Sequence, residues 1–171
     1  MVLTKAELIG SLQHEVRILV HLCSKVKPEM LDYRPTPKQR STTELLRYLT
    51  LMGPVLVASI KAGAFQVDQW NADEAKAKSL DFAGLVKNLE SQSARYADAI
   101  NTFTDEDLRG EVDLFGTGNK MSRGQALVTF VQCGHAAYRT QLFCYLKANG
   151  RDELNTMNLW AGIDAPMAAA Q

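Results

Sequence analysis

The stretch Val131-Gln132-Cys133-Gly134-His135-Ala136-Ala137-Tyr138-Arg139-Thr140-Gln141-Leu142-Phe143-Cys144-Tyr145-Leu146 is where apolar residues and chemically able polar residues share a helical face. At about 100° per residue, Leu127, Val131, Gly134, Tyr138, Leu142 and Tyr145 form one stripe. His135 falls roughly 55° from the centre of that stripe, Gln141 about as far on the other side, and Arg139 at its edge. A helix that carries His, Tyr and Gln beside its core face either satisfies them internally or offers them to a ligand. A lone histidine on such a face is more often a hydrogen-bonded core group. The pattern therefore decides the helix before it decides any chemistry.

Working outward, three more helices announce themselves by their caps. Ser122 with Gln125 opens the helix just described, and Asn149-Gly150 supplies its stop. Thr4-Lys5-Ala6-Glu7 is a capping box that opens a helix with Leu8, Leu12, Val16, Leu19, Cys23 and Val26 on one side, ending before Pro28. Arg34-Pro35-Thr36-Pro37 forces an extended connector. Ser41-Thr42-Thr43-Glu44 is a second capping box. Its helix presents Leu45, Tyr48, Leu49, Met52, Val55, Leu56 and Ser59, with a kink expected at Gly53-Pro54. Asp81 caps a third helix whose core face is Leu85, Leu89, Gln92, Tyr96, Ile100 and Phe103.

The spacing predicts helices near 4–26, 42–63, 82–103 and 123–148. Residues 64–78 read as a loop or an irregular helical crossover, and Thr104-Asp105-Glu106-Asp107 as a short turn of helix. Glu111 to Phe115 alternates, 116–119 turns, and Lys120-Met121 returns, the one β-like segment. Its glycines miss the spacing of a phosphate-binding loop. The fold class is an all-α four-helix bundle in a single domain, with a core over 4–148 and a tail over 149–171. In that tail Trp160 and Ile163 are available to pack back, and an Ala-rich end should fray.

The bulk numbers narrow the function. The chain has 171 residues, 46% of them hydrophobic, enough for one sizeable core. Nineteen basic residues balance nineteen acidic ones, so no net field draws the protein to nucleic acid or to a membrane surface. Cys23, Cys133 and Cys144 lie in helical apolar stretches without CxxC spacing, which suggests reduced thiols in a cytoplasm. Residues 1–30 show no basic-then-apolar leader, and no run approaches eighteen apolar residues.

Two segments carry a family resemblance. Arg34-Pro35-Thr36-Pro37 followed by Ser41-Thr42-Thr43-Glu44-Leu45-Leu46-Arg47-Tyr48-Leu49 resembles the RP-x-P…S-x-x-E-L-L-x-H-L segment of the DinB/YfiT-like bundle family. His135-Ala136-Ala137-Tyr138-Arg139-Thr140-Gln141-Leu142 with Tyr145-Leu146-Lys147 is similar to that family's fourth helix, H-x-x-x-H-R-G-Q-L…Y-L-R. The resemblance covers roughly 4–147. It implies an up-down-down-up bundle, a homodimer, and three histidines holding a divalent metal at the open end. It also implies thiol transferase or hydrolase activity in some members.

The histidines of that motif are replaced here. Tyr48 stands at the second-helix position. Aligning Arg139-Thr140-Gln141 on R-G-Q puts Tyr138 and Gly134 at the other two; aligning His135 instead puts Arg139 at the last. At most one histidine remains, so the metal site is read as lost and no cofactor is expected.

The expected function is small-molecule binding in a pocket lined by Tyr48, His135, Tyr138, Arg139 and Gln141, with His135 and Tyr48 facing each other across the bundle. Arg139 is suited there to a carboxylate or phosphate. One alternative is a zinc- or nickel-dependent hydrolase or thiol transferase with an altered ligand set in which His135, and Glu15 on the core side of the first helix, take part. Another is a structural or interaction dimer. His14 and His21 point away from the first helix's stripe, and with Ile18, Leu51 and Val57 they are candidates for a subunit interface. No catalytic residue is assigned, since no serine lies in a nucleophile-elbow sequence and no histidine pairs with a cysteine.

Overall fold

Thr4, Ser41, Asp81 and Ser122 each turn a side-chain oxygen onto an amide in the first turn that follows, as their sequences require. In the computed structural model, which describes residues 3–165, these caps open α1 (Lys5–Cys23) and α2 (Thr42–Ala62). Next in the chain come α3 (Val67–Lys78), α4 (Phe82–Asn101) and α5 (Asp105–Arg109). A hairpin of β1 (Glu111–Val112) and β2 (Met121–Ser122) pairs antiparallel, Glu111 opposite Ser122. The last long helix is α6 (Arg123–Ala126), a π-helical stretch Leu127–Gln132, and α7 (Cys133–Ala148) in one run; α8 (Thr156–Trp160) follows. Residues expected as a loop or irregular crossover, 64–78, contain the regular helix α3, whose apolar Ala77 and Trp70 cover Leu51 and Val55.

Hydrogen bonds between helices give the direction of each. Lys5 meets Phe103 O and Gln13 meets Ser93 O, so α1 and α4 run antiparallel. Gln132 meets Ser11 and Arg139 meets Glu15, so the last helix runs parallel to α1. Gln92 meets Leu49 O and Lys61 meets Thr102 O, so α2 and α4 are parallel. The bundle is up-down-down-up, with α1 diagonal to α2. Arg123 fastens the hairpin to the end of α2 by donating to Ile60 O at 3.0 Å and Glu111 O at 3.3 Å. Helix α2 is long and apolar enough to cross a membrane by composition, but 67% of its most apolar window is buried inside the bundle.

The predicted core faces of α1, α2 and α4 are inside apart from Val26 and Tyr48, which are half-buried, and all six residues named for α4 are buried. The tail lies against the outer side of α1. Ile18 is wholly buried, with Gly162 of the tail against it. His14 donates to Trp160 O at 2.8 Å, and Asn158 donates to His21 at 3.0 Å. Leu51 and Val57 are likewise buried within the chain. The tail docks through Leu154 and Asn158, while Trp160 and Ile163, expected to pack back, are exposed. The Ala-rich end beyond Ala165 lies outside the described residues.

One polar chain crosses this core. Pro54 has no amide hydrogen to give to Thr50 O, one turn back in α2. Gln92 of α4 serves that carbonyl at 3.1 Å and Leu49 O at 2.9 Å. With its amide thus donating, Gln92 Oε1 accepts from Tyr96 OH at 3.2 Å. The phenol oxygen then accepts from His135 Nε2 of α7 at 2.5 Å. This direction puts the imidazole proton on Nε2. Gly53 makes room for the junction, since a Cβ there would sit 1.8 Å from Tyr96 Oη and 2.7 Å from His135 Nε2. Gln92→Leu should therefore cost about 1–3 kcal/mol, the price of unmet buried carbonyls. Gly53→Ala should cost as much or more by overpacking. Urea unfolding measures both, and a neutral result at either position refutes the tie.

Candidate functional site

The π-helical stretch decides which side chains the last helix sends where. Its wider turn, bonded from i to i+5, retards the rotation of every residue after it. The centre of the buried face moves one residue on. Leu127, Val131, His135, Arg139 and Leu142 are buried, while Gly134 and Tyr138, expected at the centre, are only half-buried.

The five expected pocket residues consequently separate. His135 is fully buried and bonded to Tyr96; Tyr48, expected opposite it, meets Tyr138 instead. Arg139 faces α1, where its Nε donates to Glu15 Oε2 at 2.5 Å, and its Nη1 donates to Leu159 O of α8. Trp160 lies over the same guanidinium at 5.0 Å. Gln141 donates to Tyr145 OH, whose hydroxyl donates to Arg40 O. Only Tyr48 and Tyr138 share a cleft.

That cleft, about 480 Å³, is walled by aromatic rings from five separate parts of the chain. Tyr138 of α7 meets Tyr48 of α2 with ring centres 4.9 Å apart, and Tyr48 meets Trp70 of α3 at 5.7 Å. Trp70 meets Phe65 at 5.5 Å, Phe65 meets Phe115 of the hairpin at 5.8 Å, and Phe115 meets Phe130 of the π-helical stretch at 5.4 Å. The belt is continuous. Phe65 N donates to Leu114 O at 3.0 Å, which holds the hairpin against the α2–α3 connection. Met52, Leu56, Thr129, Gly134, Ala137 and the exposed Cys133 complete the lining. Sequence reading missed Phe65, Phe115 and Phe130. Their signal was the presence of large aromatics outside any helical stripe.

Two solved structures share this architecture. A DinB-like protein of Bacillus subtilis matches with a TM-score of 0.65 and 19% identity, over 86% of this chain and 94% of its own. A protein of Exiguobacterium sibiricum, given as a candidate DinB-family member, matches with a TM-score of 0.66 and 22% identity, over 88% and 95%. The chain has the DinB-like fold. No family model matches the sequence, and no curated protein matches it.

On this DinB-like fold, the three positions at which the resemblance implies metal ligands can be located. Aligned on Arg139-Thr140-Gln141 they are Tyr48, Gly134 and Tyr138, and all three line the aromatic cleft. The alternative pair, His135 and Arg139, points into the core and toward α1. The donors in the cleft do not fit a divalent ion. Burial, reinforced by the Tyr138 phenol, raises the Tyr48 hydroxyl well above its ordinary range, and a metal ligand must be deprotonated. Among the described residues no three His, Cys, Asp or Glu side chains are grouped closely enough to hold a metal. Cys23, the one buried thiol, is pushed up to about 12 by burial, so it is inert. Cys133 and Cys144 are exposed.

His135 carries a pH dependence of its own. Burial pulls its pKa from 6.5 down to about 4. As pH falls through 6.5 the unfolded chain takes up a proton that the folded chain refuses until about pH 4. Stability therefore declines with falling pH across that window, by about 3 kcal/mol. His135→Gln should be less stable at neutral pH but should lose this part of the slope. Denaturation at pH 7 and pH 4.5 compares the two, and equal slopes would remove His135 as the cause.

Proposed function

We propose that the protein is a DinB-like family member that works without the family's metal and binds a small, neutral, planar apolar ligand in the aromatic cleft. The observation that carries this is the belt of six rings at the place where the resemblance implies histidine ligands. A cleft of this size matches small-molecule sites in general, and aromatic walls favour a flat ligand by offset and edge-on contacts. Among the residues lining the cleft there is no histidine or carboxylate to serve as a general base near neutral pH, so the reading is binding rather than turnover. Its setting is a reducing cytoplasm, which suits the exposed thiols. The homodimer implied by the resemblance belongs to the same reading. A mass near 18.9 kDa by light scattering at micromolar concentration would overturn that part.

Cys133 reports on the cleft. In a Cys144→Ser variant, indole should slow the reaction of Cys133 with Ellman's reagent severalfold, and Trp70→Ala should remove the protection. In a Cys133→Ser variant, indole should leave Cys144 labelling unchanged. Equal rates with and without indole at Cys133 would overturn the reading. So would near-stoichiometric zinc or nickel surviving dialysis, which would put an altered-ligand metalloenzyme in its place.

A further inference from the structure

The Tyr48–Trp70 pair is also the wall of a second cleft, about 520 Å³, between the first turns of α2 and the facing side of α3. Its character is different. Five charged side chains line it: Arg40, Glu44, Arg47, Glu74 and Lys78. Both carboxylates are already engaged. Glu44 accepts from Ser41 N at 2.8 Å as the cap of α2 and pairs with Arg34 at 3.3 Å, while Glu74 pairs with Lys78 at 2.8 Å. Two guanidinium groups are left. Among the described residues neither Arg40 nor Arg47 has a carboxylate partner.

The two arginines are held ready in distinct ways. The Arg40 guanidinium lies over the Tyr48 ring at 4.0 Å, which fixes its plane without using its N–H groups. Arg47 Nε is buried and has no hydrogen-bond partner among the described residues. Because Nε has no accessible surface, the groups Arg47 can offer to the cleft are its terminal Nη nitrogens, which likewise make no hydrogen bond among the described residues. Guanidinium forks match the two oxygens of a carboxylate, and the exposed side of Trp70 offers a ring face beside them.

We infer that this second cleft is an oxyanion subsite that takes a small planar carboxylate, the acid group on Arg47 and Arg40 and the ring against Trp70. Arg139, the cation that the sequence suggested for this chemistry, is committed to Glu15. The inference does not rest on the reading of the aromatic cleft, because its carrier is Arg47, which does not line that cleft.

Benzoate is the probe, benzamide its neutral control, and the arginine Nε–H resonances of ¹⁵N-labelled protein the readout. Benzoate should shift the Arg47 signal saturably, benzamide should not, and added salt should weaken the effect. Arg47→Met should weaken benzoate binding about tenfold or more, with Arg47→Lys intermediate because it keeps charge but loses the fork. Thermal unfolding of both variants should match the parent, and indole protection of Cys133 should survive in both. The inference is overturned if benzoate leaves the Arg47 signal unmoved, if benzamide moves it as well, or if Arg47→Met binds benzoate like the parent. Inorganic phosphate should bind more weakly than benzoate; equal binding would overturn the ring contact with Trp70.

Discussion

The arrangement depends on one unmet carbonyl. Proline at position 54 leaves Thr50 O without its intrahelical donor in the middle of the bundle, where water cannot serve it. Gln92 reaches from α4 to supply the bond, its Oε1 accepts from Tyr96, and Tyr96 meets His135 Nε2, while His135 Nδ1 stays buried without a partner among the described residues. Three helices are thereby held at one rotation and one height. The small residue at 53 is part of the same device, since the phenol and imidazole meet where a Cβ would otherwise stand.

Holding His135 inward determines where its neighbours go. Arg139, one turn on, must lie along the same buried edge, and it is tolerable there because Glu15 and a carbonyl of the docked tail meet its charge. A buried ion pair adds little net stability, but loss of either partner leaves an uncompensated charge, so the pair acts chiefly to fix how α1, α7 and the tail fit. Tyr138 and Gly134 are turned the other way, toward α2 and α3. The aromatic cleft is therefore the complement of the polar core: the same rotation that buries an imidazole and a guanidinium presents phenol and glycine outside.

Fold and chemistry part company here. The likeness to solved DinB-like structures extends over most of the chain, and it rests on helix packing that many sequences satisfy. The site is made by a handful of side chains at its open end. Tyr48 and Tyr138 present ring faces there, and the surroundings, with Phe65, Trp70, Phe115 and Phe130, share that chemistry.

Much was legible in the residues alone. Capping boxes, proline and glycine punctuation and the 3.6-residue period placed the four long helices within a few residues, because these signals act through bonds and contacts inside a single turn or two. They also placed Gln92 and Tyr96 on the core face of α4. Tertiary structure decided the rest. A π turn arises from how Leu127–Gln132 packs, leaves no local signature in the residue pattern, and moves every later side chain around the axis, which is why His135 and Arg139 lie where Gly134 and Tyr138 were expected. Phe65, Phe115 and Phe130 converge from a loop, a hairpin and a helix, and no periodicity links such positions. The partners that neutralise Arg139 and leave Arg47 without one are likewise brought together only by packing: Glu15 is 124 residues away from Arg139 in the chain.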